Sequence, residues 1–257
     1  MKVTVLVENT TCREDVAAQH GLSLYLETED QRILFDMGQD DTFLHNAEAL
    51  GIDLSKVDLA ILSHGHYDHG GGLKTFLQVN STAPIYLQEC AFGAYYNGTE
   101  KYIGLDQMLS HHSRFVFTKG DFSLSSKLRL TDCNDLCWIC DAWGLNQRKA
   151  DTFTPDVFLH EQYLEVTEGD KRILISGCSH KGIVNIADHF QPDILIGGFH
   201  LTKQEETAKL EMIASKLLLA DTVYYTGHCT GEKQFDLLCR RMGERLQRIS
   251  AGLTFEV

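Results

Sequence analysis

The feature that most constrains this chain is a strand that runs straight into a cluster of metal-type ligands. Residues 57–62 form an apolar run of the buried-strand kind, and Ser63-His64-Gly65-His66-Tyr67-Asp68-His69 follows without a break. Four imidazole or carboxylate side chains within six positions are a ligand set for Zn²⁺, Mn²⁺ or Fe²⁺. A tight loop lets alternate side chains aim at different points, so His64 and His66 can serve one ion while Asp68 and His69 serve a second. A solvated polar loop with incidental histidines explains this density poorly.

Around that loop the pattern is one of alternating strands and helices. Strands are expected at residues 3–7, 22–26, 32–35, 84–87, 114–117, 163–166, 172–176, 193–196 and 222–225, where β-branched or alternating apolar residues end in turn chemistry. Helices are expected at 41–50, after the glycines at 70–72, and at 183–189, 205–218 and 233–246, the last of these closing the chain. Residues 91–150 carry glycines, tyrosines, paired histidines and clustered cysteines with little periodicity, and read as an insertion or substrate-covering loops within a single domain spanning 1–257. No repeat at a fixed period is present, although two strand-rich halves suit a pseudo-symmetric sandwich.

Composition narrows the function. With 23 Lys and Arg against 36 Asp and Glu the formal net charge is −13, which argues against a nucleic-acid footprint. An anionic substrate must then be met by a local positive charge such as a bound metal. No run approaches the roughly 18 apolar residues of a membrane helix, and MKVTVLVENT lacks the pattern of a secretory signal. A cytoplasmic chain is therefore expected, its eight cysteines reduced or metal-bound rather than paired.

LSHGHYDHGGGL at 62–73 resembles the signature of the metallo-β-lactamase superfamily. ILFDMGQ at 33–39, ISGCSHKGIVN at 175–185, IGGFHL at 196–201 and TGHCTG at 226–231 resemble the landmarks of its subgroup of dihydropterin-ribofuranosylaminobenzene-phosphate synthases. The resemblance implies an α/β fold, a four-layer αββα sandwich with the metal site at one edge. It implies His180 and His228 as further ligands beside His64, His66, Asp68 and His69. The chain departs from the superfamily at Gly177-Cys178-Ser179-His180, where Gly-Asp is usual. Cys178 occupies the place of the bridging aspartate, and the bridge is left open between Cys178, Asp68 acting alone and a hydroxide. As a residue type, a cysteine here is more often a small buried hydrophobe.

Other residues carry weaker signals. Asp36 is either a ligand-orienting carboxylate or a turn residue. His200 follows a strand and a Gly-Gly pair and is expected either to contact substrate or to support a ligand from behind, and His200 or Tyr67 is the candidate to orient the leaving group. Cys133-x3-Cys137-x2-Cys140 has the spacing of an iron–sulfur motif, with no supporting context. His111, His112 and His160 are spare ligand candidates.

These readings combine into a metal-dependent hydrolase with two divalent ions, zinc first and manganese or iron next. A metal-activated hydroxide attacks an ester, phosphoester or related bond of a small anionic substrate, pterin-like by resemblance, with Asp68 accepting a proton. A non-catalytic metal-containing binding or regulatory protein is the alternative from another class. A diiron redox enzyme of the flavodiiron type fits less well, since His66 stands where those sites carry glutamate and no flavin-binding domain follows. A homodimer is a weak expectation.

Overall fold

The computed structural model describes residues 1–136, 138 and 140–257. Two seven-stranded sheets face one another. The first runs in the order Thr254–Glu256, Lys2–Val7, Ser23–Glu27, Arg32–Phe35, Leu59–Ile61, Ile85–Gln88 and Phe115–Thr118. The second runs Leu246–Arg248, Val223–Thr226, Ile194–Ile196, Lys171–Ile175, Tyr163–Glu168, Leu128–Thr131 and Phe122–Ser123. Each sheet has an antiparallel half and a parallel half, and the parallel halves contain the strands that precede the histidine-bearing loops.

Period-two alternation sorts the side chains into layers. Ile33 and Phe35 join Val3, Leu24, Ile61, Leu130, Leu164, Ile173 and Ile196 in the apolar layer between the sheets. Leu34, pointing the other way, packs with Phe43, Ala47, Leu73 and Phe76 from helices Thr42–Ala49 and Leu73–Val79. On the opposite outer face, Leu174, Leu195 and Tyr224 pack against helices Ile183–Phe190, Thr207–Leu217 and Glu232–Met242. The result is the αββα arrangement expected from the sequence.

Two expectations need correction. The stretch 91–150 is more regular than its aperiodic sequence suggests. Besides the strand Phe115–Thr118 of the first sheet, which was expected, it supplies Phe122–Ser123 and Leu128–Thr131 to the second, and Leu145–Lys149, Ala94–Asn97 and Lys101–Tyr102 to a third, antiparallel sheet that Thr152–Pro155 completes beside Leu145–Lys149. These strands are short, partly exposed and carry mixed side chains, so their pairing is fixed by tertiary context rather than by pattern. The helix expected at 233–246 stops at Met242, and the chain then adds edge strands to both sheets. Among the described residues no helix is long and apolar enough to cross a membrane.

Leu26 is fully buried between the sheets and pairs with Val3 and Ile33, at the end of its strand remote from Asp36. Leu26→Ala should cost about 2–5 kcal/mol, read as a lower urea midpoint, while leaving metal affinity unchanged.

Candidate metal centre

Five strand ends converge on one edge of the sandwich. Arg32–Phe35 delivers Asp36, Leu59–Ile61 delivers Ser63 and His64, Lys171–Ile175 delivers Cys178 and His180, Ile194–Ile196 delivers His200, and Val223–Thr226 delivers His228. His66 precedes the helical turn Tyr67–Gly70, which carries Asp68 and His69. Asp36, Ser179, His200 and His228 all adopt left-handed backbone, with φ of 59°, 57°, 51° and 47°. Non-glycine residues held there cost strain and cluster at functional sites.

The hydrogen bonds fix the ring orientations. Asp36 Oδ2 pairs with His69 Nδ1 at 2.6 Å and accepts from Ser63 Oγ at 2.7 Å, while its Oδ1 accepts from Ser63 N at 2.7 Å. With its own proton committed to Asp36, the Ser63 hydroxyl can only accept from His64 Nδ1, 2.8 Å away. His228 Nδ1 lies 3.0 Å from Asn9 Oδ1, which is an acceptor only. His64, His69 and His228 therefore each carry a proton on Nδ1 and turn Nε2 to the centre, and on His64 and His228, which burial keeps neutral, that Nε2 is a bare lone pair.

Those nitrogens face one another. His64 Nε2 and His180 Nε2 are 3.3 Å apart, and His69 Nε2 and His228 Nε2 are 3.2 Å apart. Imidazole nitrogens at that separation either share a proton or hold a metal cation between them. Two nitrogen donors about 2.0–2.1 Å from a tetrahedral ion stand about 3.3 Å apart, so the spacing fits. His66 Nε2 and His180 Nδ1 are buried with no hydrogen-bond partner, an arrangement that needs an explanation such as an ion. Cys178 Sγ lies 3.2 Å from His69 Nε2 and groups with both imidazole pairs, His64–His180 and His69–His228, each triad's donor atoms lying within 4.8 Å of one another. Asp68 Oδ2 sits 3.6 Å from His228 Nε2 and 3.1 Å from His20 Nε2. By donor chemistry, spacing and unpartnered atoms, these residues fit divalent metal.

The electrostatics agree. Burial, with repulsion from neighbouring imidazoles, presses His64 and His180 well below the ordinary histidine value and takes His66 to about 3. Burial likewise lowers His228 to about 4. Neutral imidazole is the ligand form. Burial also opposes charge on His69, but the charge of Asp36 and the hydrogen bond to it outweigh this and raise the group to about 9. Positive charge at His69 is thus favoured, as a second proton on Nε2 or as a metal ion that takes that proton's place. Burial would raise Asp68, yet its hydrogen bond to His20 and the charges of His69 and His228 hold it below the usual carboxylate range.

All six residues expected as ligands lie in this cluster, and His200 lies at its rim, its ring 4.2 Å from that of His180. The spare candidates do not join it as donors. The exception is His160, which groups with His66 and Asp156, their donor atoms within 4.8 Å of one another, although its Nδ1 accepts from Gly65 N and its Nε2 bonds Asp156. His111 and His112 are exposed. Of the three-cysteine motif, Cys137 lies outside the described residues, and Cys133 packs in the apolar layer beside Tyr163. Sequence reasoning missed His20, Asn9 and Glu161. Glu161 is fully buried and accepts from the backbone of His180 and Lys181 and from the Tyr163 hydroxyl, fixing the loop that carries His180.

Comparison with known proteins agrees with this geometry. The family model of the metallo-beta-lactamase superfamily matches residues 17–126. A protein of Methanocaldococcus jannaschii, itself uncharacterized, is 30% identical over 90% of this chain and 91% of its own. From the same organism, 7,8-dihydropterin-6-methyl-4-(beta-D-ribofuranosyl)-aminobenzene-5'-phosphate synthase is 27% identical over 91% of this chain and 89% of its own. A solved structure described as a metal-dependent hydrolase of the beta-lactamase superfamily superposes with a TM-score of 0.83 at 28% identity, covering 100% of this chain and 99% of that one.

Asp36→Asn keeps the size of the side chain but removes the charge that orients His69 directly and His64 through Ser63. Loss of an outer partner of this kind costs about 10–100-fold in metal affinity. A chelator-competition titration should show that loss, and an unchanged affinity would place the control of ligand orientation elsewhere.

Proposed function

We propose that this chain, which belongs to the metallo-β-lactamase superfamily, is a metal-dependent hydrolase acting on an ester, phosphoester or related bond of a small anionic substrate. The observation that carries this reading is the two pairs of facing imidazole nitrogens, 3.2 and 3.3 Å apart, beside a cavity of about 500 Å³. His64, His66 and His180 would hold one ion, and Asp68, His69 and His228 a second, with zinc first and manganese or iron as alternatives. Divalent ions there supply a Lewis acid that polarises a carbonyl or phosphoryl oxygen and brings water to ionise near neutral pH.

The chain's own residues do the rest. Asp68, held as a carboxylate and open to the cavity, accepts a proton from water at its Oδ atoms. His200 lines the same cavity and is placed to hand a proton to a leaving oxygen. Lys101, Lys203 and Arg248 put positive charge on the cavity wall of an otherwise acidic chain, and Ile103, Trp143 and Phe235 add apolar surface. That combination suits an anionic substrate with a flat ring. A pterin-like compound is one such substrate, and the synthase relative, whose name describes a dihydropterin phosphate, supports it.

The test starts from protein purified without chelator. About two ions per chain are expected, with turnover on a panel of phosphoesters, lactones and thioesters that disappears on chelation and returns with zinc, manganese or iron. His200→Ala should lower kcat by about 10²–10⁴-fold, the usual contribution of a general acid, while retaining its metal. Wild-type protein that binds no metal after reconstitution would sink the mechanism.

A further inference from the structure

Cys178 stands where a bridging carboxylate is usual, and its surroundings do not match those of a structural cysteine. It is buried, yet it belongs to none of the apolar clusters, whereas buried Cys133 packs among Tyr163, Leu174 and Ile183. Its sulfur instead shares one donor triad with His64 and His180 and another with His69 and His228, and approaches His69 Nε2 to 3.2 Å. His66, whose Nε2 is buried and unpartnered, sets its ring 4.6 Å from that of His64.

The backbone is shaped to bring the sulfur there. A methyl group on Gly177 would overlap Ser63 Oγ and crowd His64 Nδ1, so only glycine lets the loop after Lys171–Ile175 close onto the loop after Leu59–Ile61. Ser179 then turns back in left-handed conformation. This aims Cys178 between the imidazole pairs and His180 at one of them.

We propose that Cys178 is the protein-derived bridge of the centre, its thiolate ligating both ions in place of a carboxylate. This rests on the two-ion reading above. On metal loading the thiol proton leaves to solvent and sulfur–metal bonds form, so the thiolate supplies the single negative charge that a bridging aspartate would. The exchange of oxygen for sulfur makes the centre softer. Thiolate favours zinc or iron over the oxygen-preferring manganese and magnesium, so the substitution sets metal choice.

Cobalt(II) titration tests the ligand without relying on turnover. Wild-type protein is expected to take up two Co(II), with a near-ultraviolet thiolate-to-cobalt charge-transfer band growing across both equivalents. Cys178→Ser should abolish the band and weaken both equivalents by at least the roughly 10–100-fold that loss of an outer partner costs. Cys178→Asp should keep two ions, lack the band, and shift zinc–manganese competition toward manganese. Cys229→Ser, altering the neighbouring thiol, should keep the band. Circular dichroism of each variant before loading establishes that it folds, and Cys178→Asp tests metal choice even where the serine variant loses its ions. Two bound ions with no band, a band that survives Cys178→Ser, or weakening of only one equivalent would overturn the bridge while leaving the two-ion reading intact. Failure to bind cobalt or zinc at all would overturn both.

Discussion

The site depends on one buried carboxylate. Asp36 is fully buried, and a carboxylate in that position is tolerated only with its acceptor sites filled. It meets that requirement through Ser63 N, Ser63 Oγ and His69 Nδ1. These partners belong to the next parallel strand and to the helical turn beyond it. Satisfying the charge therefore clamps the strand end and the ligand turn together, and dictates which nitrogen of His69 and of His64 points inward. A carboxamide would fill the same space but could not attract the His69 proton with full charge. The left-handed backbone at Asp36 is the local cost of pointing its side chain across the strand ends.

The second sheet solves the matching problem with glycine and left-handed turns beside two buried carboxylates, Glu161 and Glu8, that accept from the backbone of His180 and His228. Gly177 and Gly198 permit contacts that any side chain would block, the first against Ser63 and the second against Cys229. His200 and His228, both in left-handed conformation, turn their rings back over the strand ends. His180 is held from behind by Glu161, through its backbone N–H, and from the side by Phe158, whose ring stacks on it 4.4 Å away at 9°. One half of the centre is thus set by a carboxylate that binds ligand side chains, and the other by carboxylates that bind ligand backbone together with glycine turns and stacking.

That division explains what could be read from the sequence. His64, His66, Asp68 and His69 are contiguous, so their chemistry is visible as a motif, and the strand before them fixes their edge of the fold. His180, His200 and His228 were legible because each follows a strand and a glycine turn. His20 and Asn9 were not, because they sit on an irregular segment whose approach to His228 is a contact across more than 200 residues. Glu161 lies between Phe158 and Tyr163 with no motif around it, and only burial reveals its three donors. The small third sheet escaped for the same reason: nothing in the alternation of residues 94–97 or 145–149 specifies their pairing. Cys178 is the instructive case. Its residue type favoured a buried hydrophobe, and burial is observed, but the sulfur sits among imidazole nitrogens and the Cys229 thiol, outside every apolar cluster.

The charge distribution gives the centre its direction. The chain is strongly acidic, and two of the cavity's cations already have partners, since Lys203 donates to the Trp143 carbonyl and Arg248 pairs with Asp236. The histidines of the cluster are mostly pressed toward their neutral form by burial, so apart from His69 they contribute little positive field. Attraction for an anion at the base of the cavity must therefore come from whatever cation the imidazoles hold. In such a site metal binding and substrate binding are linked: the donors remain neutral so that the ion's charge is not cancelled, and the few anionic donors, Asp68 foremost, set how much of that charge the substrate meets.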